Sequence, residues 1–232
     1  MNIHLNTLNR IFSVFLYKHS YEILLISFLL HLYGSVFFRD IHFYGIYVQI
    51  INLLFVYFAA TNTFFHRRNN ISFLFRTIIL ITLICNFALL FFNDFSTLKY
   101  VKEVSYLLFL IITIYKTGSF LIKPHRIDKA LISASIVGYL LLVEIAAQLF
   151  ILFFLLEGKS VLSPIDTSSF TNTYIDIVYY CTVTITSIGF GDILPLNHSA
   201  KMTTSLLGLA GQLYLVIIMS IMISKFNSKK GL

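Results

Sequence analysis

The sequence predicts an all-α integral membrane protein with six transmembrane helices, a shorter re-entrant helix and an irregular loop that returns from the membrane. Composition is the first of three observations behind this prediction, because 58% of the residues are hydrophobic and only 12% are charged, about half the charged fraction of soluble domains. The second observation is a set of six long apolar runs. The third is the loop 157–201, whose second half is apolar but too short to cross a bilayer.

The six apolar runs approach or exceed the roughly 20 residues that a spanning helix needs. Short polar loops separate them, except for the long loop between the fifth and the sixth. Residues 8–20 are predicted to form an interfacial helix that leads into the first run. The six spans are predicted at residues 21–38, 41–61, 71–92, 101–122, 130–156 and 202–226.

The lysines and arginines of the loops predict the orientation. If the helices alternate in direction, ten of these residues lie on the side of both termini and five on the other. This bias predicts cytoplasmic termini in the plasma membrane. The formal charge of +7 therefore reflects topology in the lipid bilayer, and no nucleic-acid partner is expected. The ten are Arg10, Lys18, Arg67, Arg68, Lys123, Arg126, Lys129, Lys225, Lys229 and Lys230; the five are Arg39, Lys99, Lys102, Lys159 and Lys201.

The long loop predicts a short helix that enters the membrane and does not cross it. Thr173 and Asp176 have the spacing of a capping box, which marks a helix start, and the apolar stretch YIDIVYYCTVTI follows. We expect a re-entrant helix over residues 174–186 and then an extended chain that returns outward through Gly191. Irregular backbone at this depth is tolerated only where it is buried in protein or lines a water-filled path.

The segment SIGFG, Ser187 to Gly191, has the chemistry of an ion-coordinating backbone. Its two glycines disfavour a helix and permit positive φ, so successive carbonyls can turn toward one side. Four such strands around an axis would form rings of oxygens that replace the hydration shell of a cation. The carbonyls near Thr184 and Thr186, at the negative end of the preceding helix, would favour a cation as well. Since one chain supplies one such strand, this mechanism requires a homotetramer.

The run TVTITSIGFGDILP, Thr182 to Pro195, resembles the potassium-channel signature T-x-T-T-V-G-Y-G-D. Upstream, DIVYYC resembles the family's pore-helix pattern of an acid followed by an aromatic pair. Downstream, Gly211 occupies the place of the hinge glycine in the family's inner helix, and LAGQLYLVI is similar to small prokaryotic members. The resemblance covers residues 173–226, and the first four spans carry no matching motif.

The resemblance implies passive, selective conduction of K⁺, with no enzymatic activity and no cofactor beyond the permeant ion. It implies a four-helix membrane domain over residues 1–129 and a pore domain over residues 130–232. The implied K⁺ ligands are Ser187, Ile188, Gly189 and Phe190, which with Gly191 form the filter. The implied supporting residues are Thr184 and Thr186 behind the filter, Asp192 at its outer mouth, Tyr179 and Tyr180 where the family often has tryptophans, and Gly211 as a hinge.

Three departures from the family pattern predict a looser filter. Phe190 replaces a tyrosine, so no phenol can bond back to the pore helix, and Ser187 replaces a threonine. Val183 stands where some relatives have a glutamate, so Asp192 lacks that partner. The alternative function is a weakly selective monovalent cation channel on the same scaffold.

Two further alternatives fit the sequence less well. A transporter built on pore loops would need four of them in one chain, and the sequence has one. A voltage sensor needs regularly spaced basic residues, whereas the fourth span carries Lys102 and Lys116 with Glu103 between them. The gating stimulus is therefore expected in the membrane helices, in lipid or membrane tension, in the filter or in an unknown regulatory partner.

An acidic residue, Glu144, lies within the fifth span, with Gln148 one turn later. Intramembrane acids are functional candidates, but the favoured interpretation is a protonated glutamate hydrogen-bonded to a neighbouring helix through Gln212. The histidines lack the spacing of metal ligands and are expected at the membrane interface; they include His31, His42 and His198.

Overall fold

The structure, a computed structural model, describes residues 14–64, 70–89, 96–123, 128–157 and 161–227. Within these residues, six helical stretches are long and apolar enough to cross a membrane. The predicted all-α membrane fold with six spans is therefore confirmed. The six stretches are Ser20–Phe37, Ile41–Phe64, Ser72–Leu89, Ser96–Ile122, Lys129–Glu157 and His198–Phe226.

Besides the helical residues 14–18, eight helices and two short strands build the described part of the chain. The first five helices are α1 (Ser20–Tyr33), α2 (Ile41–Phe43), α3 (Gln49–Phe64), α4 (Asn70–Leu89) and α5 (Ser96–Ile122). A 3₁₀ turn, Gly34–Phe37, follows α1, and a π-helical turn, Tyr44–Val48, joins α2 to α3. The remaining elements are α6 (Lys129–Glu157), β1 (Leu162–Ser163), α7 (Phe170–Ile185), β2 (Leu194–Pro195) and α8 (His198–Asn227).

The helix bounds correct three of the predicted spans. The second span continues to Phe64. The fourth begins at Ser96 and the sixth at His198, five and four residues before their predicted starts. The polar residues around Lys99 lower the hydropathy of the first turns of α5, but they do not break the helix. Residues 14–18 are helical within the predicted interfacial segment. Several predictions fall outside the described residues: positions 8–13 of that segment, and the loop residues Arg10, Arg67, Arg68, Arg126, Lys159, Lys229 and Lys230.

Helix α6 lies at the centre of the packing, with α1, α5, α7 and α8 around it. Half of its apolar window is buried. Small side chains such as Ala134, Ala146 and Ala147 are fully buried on α6, which lets neighbouring helices approach closely. Larger side chains, including Leu24, Phe28 and Phe150, fill the remaining space. The first and fourth spans and the re-entrant helix thus pack against the same central helix, whereas α3 packs against α1 and α4 packs against α5.

The strands β1 and β2 join the two ends of the long loop. They pair antiparallel, with Leu162 opposite Pro195 and Ser163 opposite Leu194. The backbone N–H of Leu196 also donates to the carbonyl of Val161, at 3.0 Å. This pairing brings the chain that leaves α6 next to the chain that enters α8. It therefore fixes the entry and exit of the segment that carries α7 and the SIGFG strand.

Candidate functional site

The re-entrant helix α7 starts earlier than the sequence predicted. Ser169 is its N-cap, and the Ser169 hydroxyl accepts a hydrogen bond from the backbone N–H of Asn172 at 3.1 Å. The predicted start at Thr173 with a capping box to Asp176 was wrong, because Thr173 already lies within the helix and its hydroxyl donates to the carbonyls of Asp166 and Ser169, each at 3.0 Å. A serine directly before the apolar residues is itself a helix-start signal.

The loop before α7 is held by carboxylates. Asp166 Oδ1 accepts the backbone N–H of Ser168 at 2.8 Å, and Asp166 Oδ2 accepts from the Asn172 amide at 2.8 Å. The hydrogen bonds from Ser168 hold the pKa of Asp166 below its usual value. The backbone N–H of Asp166 in turn donates to Asp176 Oδ2, at 2.6 Å. Two negative side chains therefore lie on the side of α7 where the long loop begins.

The SIGFG strand leaves α7 through a tight reversal of the backbone. The N–H of Ser187 donates to the carbonyl of Thr184 at 3.0 Å. The N–H groups of Ile188 and Gly189 both donate to the carbonyl of Val183, at 2.9 and 3.0 Å. These bonds turn the first three N–H groups of the strand back toward the helix end. In a trans peptide unit the C=O points away from the N–H, so the oxygens of these units point away from the helix end.

Positive φ angles occur at alternate positions of the strand. They are 60° at Ser187, 56° at Gly189 and 77° at Gly191. When positive and negative φ angles alternate, consecutive carbonyls can point to the same side, which they do not do in an ordinary β-strand. Glycine adopts this conformation without a steric penalty, whereas Ser187 incurs about 1–2 kcal/mol of strain. The predicted non-helical backbone is thus present.

The inner helix α8 contacts the start of the strand and the end of α7. The Gln212 amide donates to the Ser187 hydroxyl at 2.6 Å. A Cβ at Gly211 would lie 2.4 Å from the carbonyl oxygen of Ile185, so glycine permits this approach of two helices. The same carbonyl accepts a hydrogen bond from the Tyr139 phenol of α6, at 3.1 Å. Gly211 therefore has a packing role in the structure, and its proposed hinge role stays a prediction.

Asp192, at the far end of the strand, has a partner that the sequence analysis did not identify. The Tyr179 phenol donates to Asp192 Oδ2 at 2.6 Å. This hydrogen bond is the main cause that holds the pKa of Asp192 below its usual value. Asp192 does lack the family's glutamate partner, since Val183 stands at that place, but it is not without a partner. The sequence did contain a signal for this partner, since Tyr179 and Tyr180 both lie on the helix that precedes the strand.

The other predicted supporting residues act mainly through backbone or through neighbouring helices. Thr184 accepts through its carbonyl, as described above, and the Thr186 hydroxyl donates within α7 to the carbonyl of Thr182, at 2.7 Å. The hydroxyls of Tyr180 and Thr204 lie 2.5 Å apart and join α7 to α8. The Phe190 side chain is exposed, as is that of Ile188.

Glu144 has other partners than the predicted Gln212, which contacts Ser187 instead. The phenol of Tyr106 donates to Glu144 Oε1, and the phenol of Tyr174 donates to Glu144 Oε2, each at 2.9 Å. His31 Nε2 lies 3.4 Å from Glu144 Oε1. The expectation of a hydrogen bond to a neighbouring helix was correct, but the partner was wrong. Both oxygens accept from phenols, which fits a carboxylate and not the expected protonated glutamate. His31 is buried between helices, with only 4% of the residue exposed, and its expected location at the membrane interface stays a prediction.

A second group of polar side chains, Lys102, Glu103 and Gln148, lies beside the group around Glu144. Lys102 Nζ lies 2.7 Å from Glu103 Oε1, and the Gln148 amide donates to Glu103 Oε2 at 2.5 Å. Glu103 is buried although its side chain is acidic. The sequence placed Glu103 at a helix end but did not indicate its contact with Gln148, because this residue of α6 lies 45 positions away.

Comparison with known proteins gives one match. Residues 130–228 match a family model described as "Ion channel". No curated protein and no solved structure matches the chain. The matched segment begins at the first turn of α6 and ends after α8, so it contains α7 and the SIGFG strand.

Proposed function

Residues 130–228 belong to an ion-channel family, and on this premise we propose that the chain forms a potassium-selective channel. Its resemblance to potassium channels is confirmed for this segment, and passive ion conduction across a membrane follows from the family. We propose further that K⁺ passes through a filter formed by the SIGFG strands of four chains. The finer likeness to small prokaryotic members stays a prediction.

One observation carries the proposal of a carbonyl filter: the alternate positive φ angles at Ser187, Gly189 and Gly191. The first N–H groups of the strand donate backward to the carbonyls of Val183 and Thr184, which supports an arrangement with the strand's own oxygens free for ions. Rings of such oxygens replace the hydration shell of K⁺. We assign K⁺ coordination to Ser187 and Gly189 and to the two residues that follow them, Ile188 and Phe190.

The charges around the strand favour a cation at both of its ends. The C-terminal carbonyls of α7 carry the negative end of the helix dipole. At the other end, Asp192 carries a carboxylate whose pKa is lowered by the Tyr179 phenol, so it stays negative at neutral pH. Asp166 lies in the same long loop and also has a lowered pKa. These groups support attraction of cations toward the mouth of the proposed pore.

The exposure of α8 supports a homotetramer. Only 11% of its apolar window is buried within the chain, compared with 50% for α6. At 3.6 residues per turn its exposed apolar side chains cover roughly half of the helix circumference. Four copies around an axis would cover this face with neighbouring subunits and with the pore itself. The exposed side chains are Met202, Leu206, Leu209, Leu213, Leu215, Val216, Ile217, Met219, Ile223 and Phe226.

We place the protein in the plasma membrane with both termini in the cytoplasm, on the bias of its loop lysines and arginines. The long loop and Asp192 then face outward. We further propose that the protein is a transport protein with no enzymatic activity. The first four spans would regulate the pore, since the hydroxyls of Tyr33 on α1 and Thr182 on α7 lie 3.0 Å apart.

Reconstitution into planar bilayers tests the proposal. We expect unitary currents that Ba²⁺ blocks and, with mixtures of KCl and NaCl in opposite ratios on the two sides, a reversal potential near the Nernst potential of K⁺. Gly189→Ala should impair conduction, because alanine at φ 56° costs about 1–2 kcal/mol. Gly118→Ala is the matched control, because a Cβ there meets no atom within 4 Å. Absence of unitary currents from the folded protein would refute the channel.

The same recording decides the second candidate function. A weakly selective cation channel is favoured by Phe190, which has no hydroxyl to hold the strand against α7. A reversal potential near zero would support that candidate and contradict K⁺ selectivity. The Tyr179–Asp192 hydrogen bond argues for the selective channel, because it holds the outer end of the strand from the same helix.

A further inference from the structure

The polar cluster around Glu144 connects four helices, α1, α5, α6 and α7, within the apolar part of the molecule. We define the Glu144 cluster as His31 on α1, Tyr106 on α5, Glu144 on α6 and Tyr174 on α7. All four side chains are buried. His31 Nε2 lies 3.2 Å from the Tyr106 hydroxyl and 3.4 Å from Glu144 Oε1. Its second nitrogen, Nδ1, is buried and has no hydrogen-bond partner among the described residues.

A cavity of about 610 Å³ gives this cluster a route to the surface. Its lining includes His31 and Glu144 at the buried end and Ser169 and Phe170 at the exposed end. At about 30 Å³ for each water molecule, a cavity of this size admits water up to the cluster. The exposed end belongs to the long loop, so the cavity opens on the same side as the proposed pore mouth.

We propose that His31 is a proton-binding site, reached from the outer side, that regulates conduction through Glu144 and Tyr174. This inference rests on the proposed channel function. It assigns a role to the first span and to the intramembrane acid, neither of which the filter uses. The imidazole is the side chain that generally changes charge between about pH 5 and 8.

The coupling runs through the single carboxylate that His31 and α7 share. Tyr174 holds the first half of α7 by donating to Glu144 Oε2, at 2.9 Å. A proton on His31 places a positive charge 3.4 Å from Oε1 of the same carboxylate. The carboxylate then accepts less strongly from the phenol, and the anchor of α7 weakens. Because the SIGFG strand begins where α7 ends, outer acidification should reduce the current.

The other charged groups around His31 leave Glu144 as its nearest acid. Lys102 and Glu103 lie in the same cavity but pair with each other at 2.7 Å. Lys99 and His42 line the cavity as well. Three further titratable side chains interact with Glu144, and they are phenols and a thiol: Tyr44 on the π-helical turn, Tyr57 on α3 and Cys181 on α7.

A titration of the full-length protein in lipid nanodiscs tests the site directly. With ¹⁵N-histidine and ¹³C-tyrosine labels, the histidine signal that His31→Gln removes should shift as the pH is lowered from about 8 to about 5. The tyrosine signal that Tyr174→Phe removes should shift together with it. A His31 signal that does not move over this range, or an unmoved Tyr174 signal, would overturn the proposal.

Bilayer currents with the pH stepped on one side at a time test the regulation. We expect the current to fall on outer acidification only, between about pH 8 and pH 5, where Asp192 with its lowered pKa stays negative. His31→Gln should abolish this fall while K⁺ current remains. His42→Gln is the matched control, since His42 lines the same cavity, and it should respond as the wild type does. A pH response that persists in His31→Gln would overturn the proposal.

If His31→Gln does not fold, Tyr174→Phe replaces it, because it keeps the ring and removes only the donor to Glu144. An unchanged pH response in Tyr174→Phe would then overturn the coupling. The two experiments separate this inference from the proposed function. Coupled titration of His31 and Tyr174 without K⁺ current would refute the channel and keep the site, whereas selective but pH-insensitive current would do the reverse.

Discussion

Replacement of Gly211 by alanine perturbs the contact between the inner helix α8 and the end of α7. A Cβ at this position would lie 2.4 Å from the carbonyl oxygen of Ile185 and 2.9 Å from its Cγ2. An ordinary carbon–oxygen contact is about 3.3–3.6 Å, so the two helices must separate by roughly 1 Å. The Ile185 carbonyl immediately precedes Thr186 and the SIGFG strand, so the displacement reaches the proposed filter.

The expected cost follows from this overlap. Overpacking of a close contact costs about 1–3 kcal/mol, and alanine recovers about 1 kcal/mol of helix propensity over glycine. Gly208→Ala is the matched control, because it lies on the same helix and a Cβ there meets no atom within 4 Å. The propensity gain is common to both variants, so Gly211→Ala should be less stable than Gly208→Ala by about 1–3 kcal/mol.

Thermal unfolding of both variants in the same detergent measures this difference, and bilayer recording measures its consequence. Gly211→Ala should also show reduced K⁺ conductance or selectivity, whereas Gly208→Ala should conduct as the wild type does. Equal stability of the two variants would refute the close-approach argument. A change in gating of Gly211→Ala with no loss of stability would instead support the hinge that the family resemblance implies.

Two further predictions concern hydrogen-bonded carboxylates. Tyr179→Phe removes the donor that lowers the pKa of Asp192, so both this pKa and the pH at which the pore mouth loses its negative charge should rise. Conductance measured against outer pH tests this, with Tyr180→Phe as the control. A profile that does not shift would contradict the prediction. Glu103→Gln leaves the ammonium of Lys102 without its carboxylate 2.7 Å away and should destabilise the protein by about 3 kcal/mol; unchanged thermal unfolding would show that the pair contributes little.

The sequence predicted those features that depend on local chemistry. Length and hydropathy alone determine a spanning helix, so the six spans were predictable to within a few residues. The backbone of the SIGFG strand was predictable too, because glycine at two alternate positions permits the positive φ that the structure has at Gly189 and Gly191. The start of α7 was predicted four residues late, because several hydroxyl residues precede it and each is a plausible cap.

The long-range polar contacts were not predictable from the sequence. Glu144 bonds to Tyr106, 38 positions before it, and to Tyr174, 30 positions after it. Which of many tyrosines meets a buried acid depends on how the helices pack, and helix periodicity does not encode that. The same holds for Tyr179 and Asp192, where the approach depends on the reversal of the chain after α7.

The reversal potential in opposed mixtures of KCl and NaCl tests the central claim most directly, that backbone oxygens of the SIGFG strand replace the water around K⁺. The purified protein in a planar bilayer, with K⁺ in excess on one side and Na⁺ in excess on the other at equal total salt, should give currents that reverse close to the Nernst potential of K⁺. Ba²⁺ should block these currents. Currents that reverse near zero, with K⁺ and Na⁺ equally permeant, would contradict the account.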